Sequence, residues 1–278
     1  MRSCSLLIAP ALLVAVSLSL PSASRAQDSA DLAKAAQNPV AAMISLPFQN
    51  NTFFGAGPHG DVANVLNIQP VIPINLGEWN VISRTIAPVI YLPDLVTGLD
   101  GIANDPQGDD GSFGLGDINQ SFYFSPAAPG AVIWGIGPSI TVPTATDDSL
   151  GSEKWSAGPA AVALAMPGNW VVGSLVRQLW SFAGDSDRQD VKQTLVQPFV
   201  NYNFRSGWYA VSSPVVTANW EADSNDTWTV PVGGGMGRIF HIGSQAMNAQ
   251  AQAFYNVEHP ELGPDWAIRF QLQFLFPK

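Results

Sequence analysis

The sequence predicts an all-β fold: an antiparallel, up-and-down barrel of about twelve strands that crosses a membrane. Three observations carry that expectation. First, the run Trp266 to Phe276 alternates strictly: Trp266, Ile268, Phe270, Leu272, Phe274 and Phe276 are apolar, with Ala267, Arg269, Gln271 and Gln273 between them. A period of two is a strand with two unlike faces. Second, charged residues make up 12% of the chain, against roughly 25% in ordinary soluble proteins. Yet beyond the N-terminal leader no run approaches the ~18 apolar residues of a spanning helix. Third, the connections between strand-like runs alternate between two chemically distinct sets, as a meander with two different ends requires.

Taken in order, residues 1–26 read as a cleaved signal peptide. Arg2 gives a basic start, Leu6 to Leu20 form an apolar run, and Ser24-Arg25-Ala26 places small residues at −3 and −1 of a cleavage site before Gln27. The single cysteine, Cys4, lies in this leader, so the mature chain is expected to have neither disulfides nor thiol chemistry. Removing the leader takes Arg2 and Arg25 from the 12 Lys and Arg. That leaves 10 basic residues against 22 acids, a net charge of −12, which argues against a nucleic-acid partner. Residues 27–43 (QDSADLAKAAQNPVAAM) read as a short periplasmic segment with a helical turn capped at Asp28 or Ser29.

Residues 44–278 form the expected barrel. Strand-like runs between turn signals fall at 44–54, 63–75, 79–92, 114–125, 131–144, 155–166, 169–183, 191–205, 207–220, 227–241, 245–257 and 266–276. Alternate connections (55–62, 93–113, 145–154, 184–190, 221–226 and 258–265) hold 18 of the 22 acids. The intervening turns, at 75–79, 125–130, 166–169, 205–207 and 241–244, hold only Glu78. Long acidic loops at one end and tight neutral turns at the other are the signature of an outer-membrane barrel. Of the nine tryptophans, eight fall at or near run ends, where amphipathic rings meet a membrane–water interface. The alternation is clean in 191–205 and 245–257, where Gln193, Gln197, Asn201, Asn203, Asn248, Gln250, Gln252 and Asn256 share the polar parity. It is irregular in two places. Arg84 shares parity with Ile82, Ile86 and Ile90, which calls for a bulge or a rim position, and the run from Val171 to Trp180 changes phase.

Several stretches resemble a family of bacterial outer-membrane proteins, the phenol-degradation meta-pathway barrels, often mislabelled as neuromedin U. They are Asn38-Pro39-Val40 followed by Ser45-Leu-Pro-Phe-Gln-Asn-Asn51, Gly114-Leu-Gly-Asp117, Pro143-Thr-Ala-Thr-Asp-Asp148, Trp180-Ser-Phe-Ala-Gly184, Gln197-Pro-Phe-Val-Asn-Tyr202, Asn219-Trp-Glu-Ala-Asp223 and Phe274-Leu-Phe-Pro-Lys278. The resemblance covers nearly the whole mature chain. It implies passive uptake of small molecules, among them aromatic or hydrophobic compounds, and brings no catalytic residues with it.

The chain is accordingly expected to be a porin-like channel, not an enzyme, and to need no cofactor. Its expected partners are outer-membrane lipids, lipopolysaccharide, the barrel-assembly machinery and a small solute. Candidate solute contacts on the lumen parity are Arg269, Gln271 and Gln273 with Gln250 and Gln252; Gln193, Arg177 and Arg238 are added as further members of a basic and amide-rich lining. Asp105, Asp109 and Asp110 have the oxygen-rich look of a divalent-cation loop without the EF-hand spacing. His241 and Ser244 lie close in sequence, but no third orienting group accompanies them. Gly233-Gly-Gly-Met-Gly237 lacks the lysine and helix of a phosphate loop and reads as a strand that lets backbone approach closely. The competing class is a structural or adhesive surface protein whose acidic loops do the work.

Overall fold

A computed structural model of the chain describes residues 31–93, 96, 98, 99 and 111–277. The leader expected at 1–26 and the loop acids Asp105, Asp109 and Asp110 lie outside the described residues. Fifteen strand segments form one antiparallel sheet. Three pairs of segments continue each other across short interruptions, so the wall has twelve strands. These are β1 (Ile44–Ala56), β2 (Asp61–Ile68 and Val71–Asn75), β3 (Trp79–Leu92), β4 (Ser112–Leu115 and Ile118–Pro126), β5 (Val132–Val142) and β6 (Lys154–Ala165). They continue as β7 (Trp170–Gly184), β8 (Lys192–Asn203), β9 (Trp208–Ser212 and Val216–Asn219), β10 (Trp228–Ile242), β11 (Gln245–Glu258) and β12 (Trp266–Phe276). Each strand pairs with its sequence neighbours, and β12 closes on β1 in register from Ile44 opposite Phe276 to Phe54 opposite Trp266. Closure removes the exposed sheet edges that twelve strands would otherwise leave.

Antiparallel neighbours put alternate connections at opposite ends. The short turns (76–78, 127–131, 166–169, 204–207, 243–244) share one end with residues 31–43; the longer acidic connections share the other. The sorting of acids expected from sequence is therefore a property of the folded ends.

The outer face is apolar and ringed with tryptophan. All nine tryptophans are 37–46% exposed. Trp79, Trp134, Trp170 and Trp208 lie near the short-turn end; Trp155, Trp180, Trp220, Trp228 and Trp266 lie near the long-loop end. On β7, Trp170 and Trp180 are ten residues apart. At about 3.3 Å per residue and a tilt near 40°, that places the two belts about 25 Å apart, the height of a lipid-facing band. A water-soluble sandwich would bury these rings.

The inner face is not uniformly polar, and this corrects two sequence expectations. Ile82, Tyr123, Ala160, Val162, Leu164, Val171, Leu175, Leu195 and Phe199 pack together inside the barrel. On β3 the inward row is Asn80, Ile82, Arg84, Ile86, Pro88 and Ile90, so Arg84 needs no bulge to share the isoleucine parity. On β7, Val171, Gly173, Leu175, Arg177 and Leu179 point inward without a break in phase. The apparent irregularities are oily lumen, not shifted register. The polar expectation holds on the other side, where β11, β12 and β1 turn amides inward.

Candidate functional site

The site is the barrel interior, and the N-terminal segment shapes it. Residues 31–36 form a helical turn whose alanines enter the short-turn end. Ala33 packs against Met43, Ile239, Ala246 and Leu275. Further along, Gln37 and Asn203 exchange two side-chain hydrogen bonds, at 2.9 and 3.1 Å. Val40, 4% exposed, seats in the oily patch of β3–β8. Burying such a side chain stabilises by about 1.5–3 kcal/mol. Small alanines let the turn fit the bore, and Asn38 holds the following bend by accepting the Val40 backbone N–H.

Among the described residues, three interior cavities bear on the candidate side chains. One, of about 140 Å³, lies against the segment, with Ala36 and Gln37 facing Gln250, Gln271 and Gln273. The second, of about 100 Å³, runs between Arg84, Arg177, Gln193 and the apolar Leu175, Leu179 and Leu195. The third, also about 100 Å³, is nearer the long loops and holds Arg269, Asn51 and Phe254. Gln49 lines all three, so the cavities adjoin one another around β1.

The predicted side chains are largely brought together. Arg269, Gln271, Gln273, Gln250, Gln252, Gln193 and Arg177 all turn inward. Asn248 Nδ2 donates to Gln273 Oε1 at 3.1 Å, and Tyr209 Oη donates to Asn248 Oδ1 at 2.6 Å. The Tyr209 ring lies against Gly237, where a Cβ would stand 2.2 Å from the ring. The glycine run of β10 thus serves close approach, as its context suggested. Arg238 does not belong to the set. It is exposed on the outer face, 5.2 Å over the Trp208 ring, while its neighbour Ile239 turns inward onto Ala33.

Arg269 organises a second feature. Its Nε donates to Asn51 Oδ1 and its Nη1 to the Ser213 carbonyl, each at 2.8 Å. Gln252 Oε1 accepts from the Ser213 backbone N–H (3.1 Å) and hydroxyl (3.2 Å). These contacts hold the chain at the interruption of β9. There the wall loosens: β9 and β10 pair from Trp208 to Val211 and again at Thr217 and Ala218, with no ladder between. The Ser212 hydroxyl bridges the gap, donating to the Gly233 carbonyl at 2.7 Å.

Sequence reasoning gave no role to Asp117, Arg84 or Gln69. Asp117 accepts from the backbone N–H of Thr144, Ala145 and Ser152 and from the Ser152 hydroxyl, fixing the connection after β5. The available signal was that Asp117 is the one acid inside an expected strand. Arg84 Nη2 donates to Gln69 Oε1 at 2.8 Å. At the loop end, Arg188 Nη2 donates to the carbonyls of Asp148 and Gly151, and Lys154 meets Asp190 at 3.2 Å. The Ser149 hydroxyl and backbone N–H hold Asp147 below its ordinary carboxyl pKa, and Lys154 does the same for Asp190. Burial among its neighbours pushes Glu153 up. His241 and Ser244 are exposed beside a short turn, and His259 lies 3.5 Å from Asp265 in the last loop.

No family model matches the chain, and no curated protein does. Among solved structures it is similar to the crystal structure of an outer membrane channel from Pseudomonas putida F1, with 16% sequence identity, a TM-score of 0.62, and coverage of 86% of this chain and 97% of that one. At that identity the likeness shows a shared fold.

Proposed function

We propose that this protein is an outer-membrane channel for passive passage of small molecules. The observation that carries the reading is the inversion of an ordinary fold: tryptophan and aliphatic side chains ring the outside, while arginines and amides line adjoining cavities within. The leader expected from sequence and the acidic loops gathered at one end support the orientation, with short turns in the periplasm and long loops at the cell surface. The likeness to an outer membrane channel is consistent with that role. The cavities suit solutes of modest size, because each is smaller than the roughly 150 Å³ space that admits one benzene. Passage therefore requires the N-terminal segment or the loops to move.

Two observations favour aromatic or hydrophobic compounds among the solutes. Half the lumen is oily, and the wall between β9 and β10 lacks a ladder from Ser212 to Val216. A break of this kind gives an apolar solute a sideways route that ions do not need. Proteoliposome flux tests the proposal. Vesicles carrying folded protein should release small solutes faster than empty vesicles and retain larger sugars. Equal release from both kinds of vesicle would refute a channel.

A further inference from the structure

We propose that the lumen carries a carboxylate-binding site at Arg269, built for a small anion with an apolar body, of the arylcarboxylate class. The inference deepens the channel reading and rests on it for its biological meaning. Arg269 is only 7% exposed. Among the described residues no carboxylate touches it. Its company is neutral: the Asn51 amide, the Ser213 carbonyl and the Phe254 ring, whose centroid lies 4.8 Å from the guanidinium carbon. A guanidinium offers five N–H donors, and these contacts use two. Nη2 has no hydrogen-bond partner among the described residues and belongs to a side chain that lines the third cavity.

A buried cation without a counter-charge is costly, and the planar fork of arginine is matched best by a carboxylate taken edge-on. The rest of the cavity tells what the carboxylate is attached to. Phe53, Val65, Leu99 and Phe254 supply apolar walls, while Thr217, Thr229 and Asn256 offer only neutral polar groups. At about 100 Å³ the space alone is short of the roughly 150 Å³ that admits one benzene, so an aryl body extends toward the second cavity past Gln49, Asn67 and Val215, which line both. That second cavity also carries arginines, Arg84 and Arg177. Against the one acid that lines these two cavities among the described residues, Asp117, which is held by the loop after β5, stand three arginines; the interior is thus basic in balance inside a chain whose net charge is −10, which favours anions despite an acidic exterior.

Isothermal titration of the folded mature protein in detergent tests the site with benzoate and its neutral isostere benzamide. Benzoate should bind at least about tenfold more tightly than benzamide, the worth of one charge-assisted contact. R269Q should abolish the preference and bring benzoate down to the benzamide level, whereas a purely structural role would weaken both ligands and keep the preference. R269K, which keeps the charge without the fork, should retain part of the preference, and R238Q on the outer face should bind benzoate as the parent does. Equal binding of benzoate and benzamide by the unmodified protein overturns the proposal without recourse to any variant. So does displacement of benzoate by equimolar inorganic phosphate. Because binding is read in micelles, the two proposals fail separately. A protein that binds benzoate and passes no solute loses the channel and keeps the site; one that passes solutes without preferring benzoate loses the site and keeps the channel.

Discussion

Removing residues 31–42 should open the barrel, and the structure sets the scale. Twelve strands about 4.8 Å apart and tilted about 40° give a backbone radius of about 12 Å. Wall side chains reduce that to a bore near the 10–12 Å width of one helix, and the N-terminal segment occupies its short-turn end through Ala33, Gln37 and Val40. What remains beside it is a cavity of about 140 Å³. Deletion removes that stopper and leaves all twelve strands and their ladder intact. Loss of the Val40 and Ala33 contacts should lower stability by a few kcal/mol, which a closed ladder tolerates. The assay is single-channel conductance of the truncated protein beside its parent, with heat-modifiable gel mobility as the check on folding. Conductance should rise at least about fivefold, as a bore blocked along one turn becomes continuous. A folded truncated protein that conducts like its parent would refute the stopper, and would put the restriction among the loops.

Three further outcomes follow from particular contacts. A cysteine pair S212C/G234C should form a disulfide across the unladdered wall, because a Cβ at Gly234 lies 3.4 Å from that of Ser212, once the strand backbone shifts to relieve the 2.7 Å approach of that Cβ to the Val211 carbonyl. Oxidation should slow uptake of a hydrophobic solute and leave ion conductance within about twofold; unchanged hydrophobic uptake would remove the lateral route. Y209F deletes the donor to buried Asn248 Oδ1 and should cost about 1–3 kcal/mol, read as a lower urea midpoint in detergent. The loop contacts should respond to acid with a definite sign. Asp147 and Asp190 are held below the ordinary 3.8, so the stability they contribute is fully present above that value and is lost as pH falls through their depressed pKa values. Glu153 is shifted the other way, so its burial penalty is relieved as pH falls. Amide exchange in 147–153 and 185–190, corrected for intrinsic rates, should therefore stay protected at pH 5 and rise only below about pH 3.8.

Much of the fold was legible because a closed wall repeats one rule. The alternation of β8, β11 and β12 and the parity of the acidic loops need only local sequence. Periodicity cannot distinguish inside from outside where both faces are apolar. For that reason Arg84 on β3 and the stretch around Arg177 on β7 read as irregular, although both strands are regular. Arg238 misled for a related reason. The inward positions beside it on β10 include Gly235 and Gly237, which carry no side chain to declare a phase. The placement of residues 31–43 inside the bore depends on contacts with Asn203, Ile239 and Leu275, far away in sequence. Asp117 could be recognised as unusual from its position in a strand, but its role in fixing the following loop appears only when Ser152 folds back onto it.

The most direct test of the account is single-channel conductance of the refolded mature protein in a planar bilayer, with and without aromatic solutes. The account predicts small conductance, limited by movement of the N-terminal segment or the loops, that an aromatic solute interrupts. A well-folded protein that never conducts, and that releases no solute from vesicles, would contradict it.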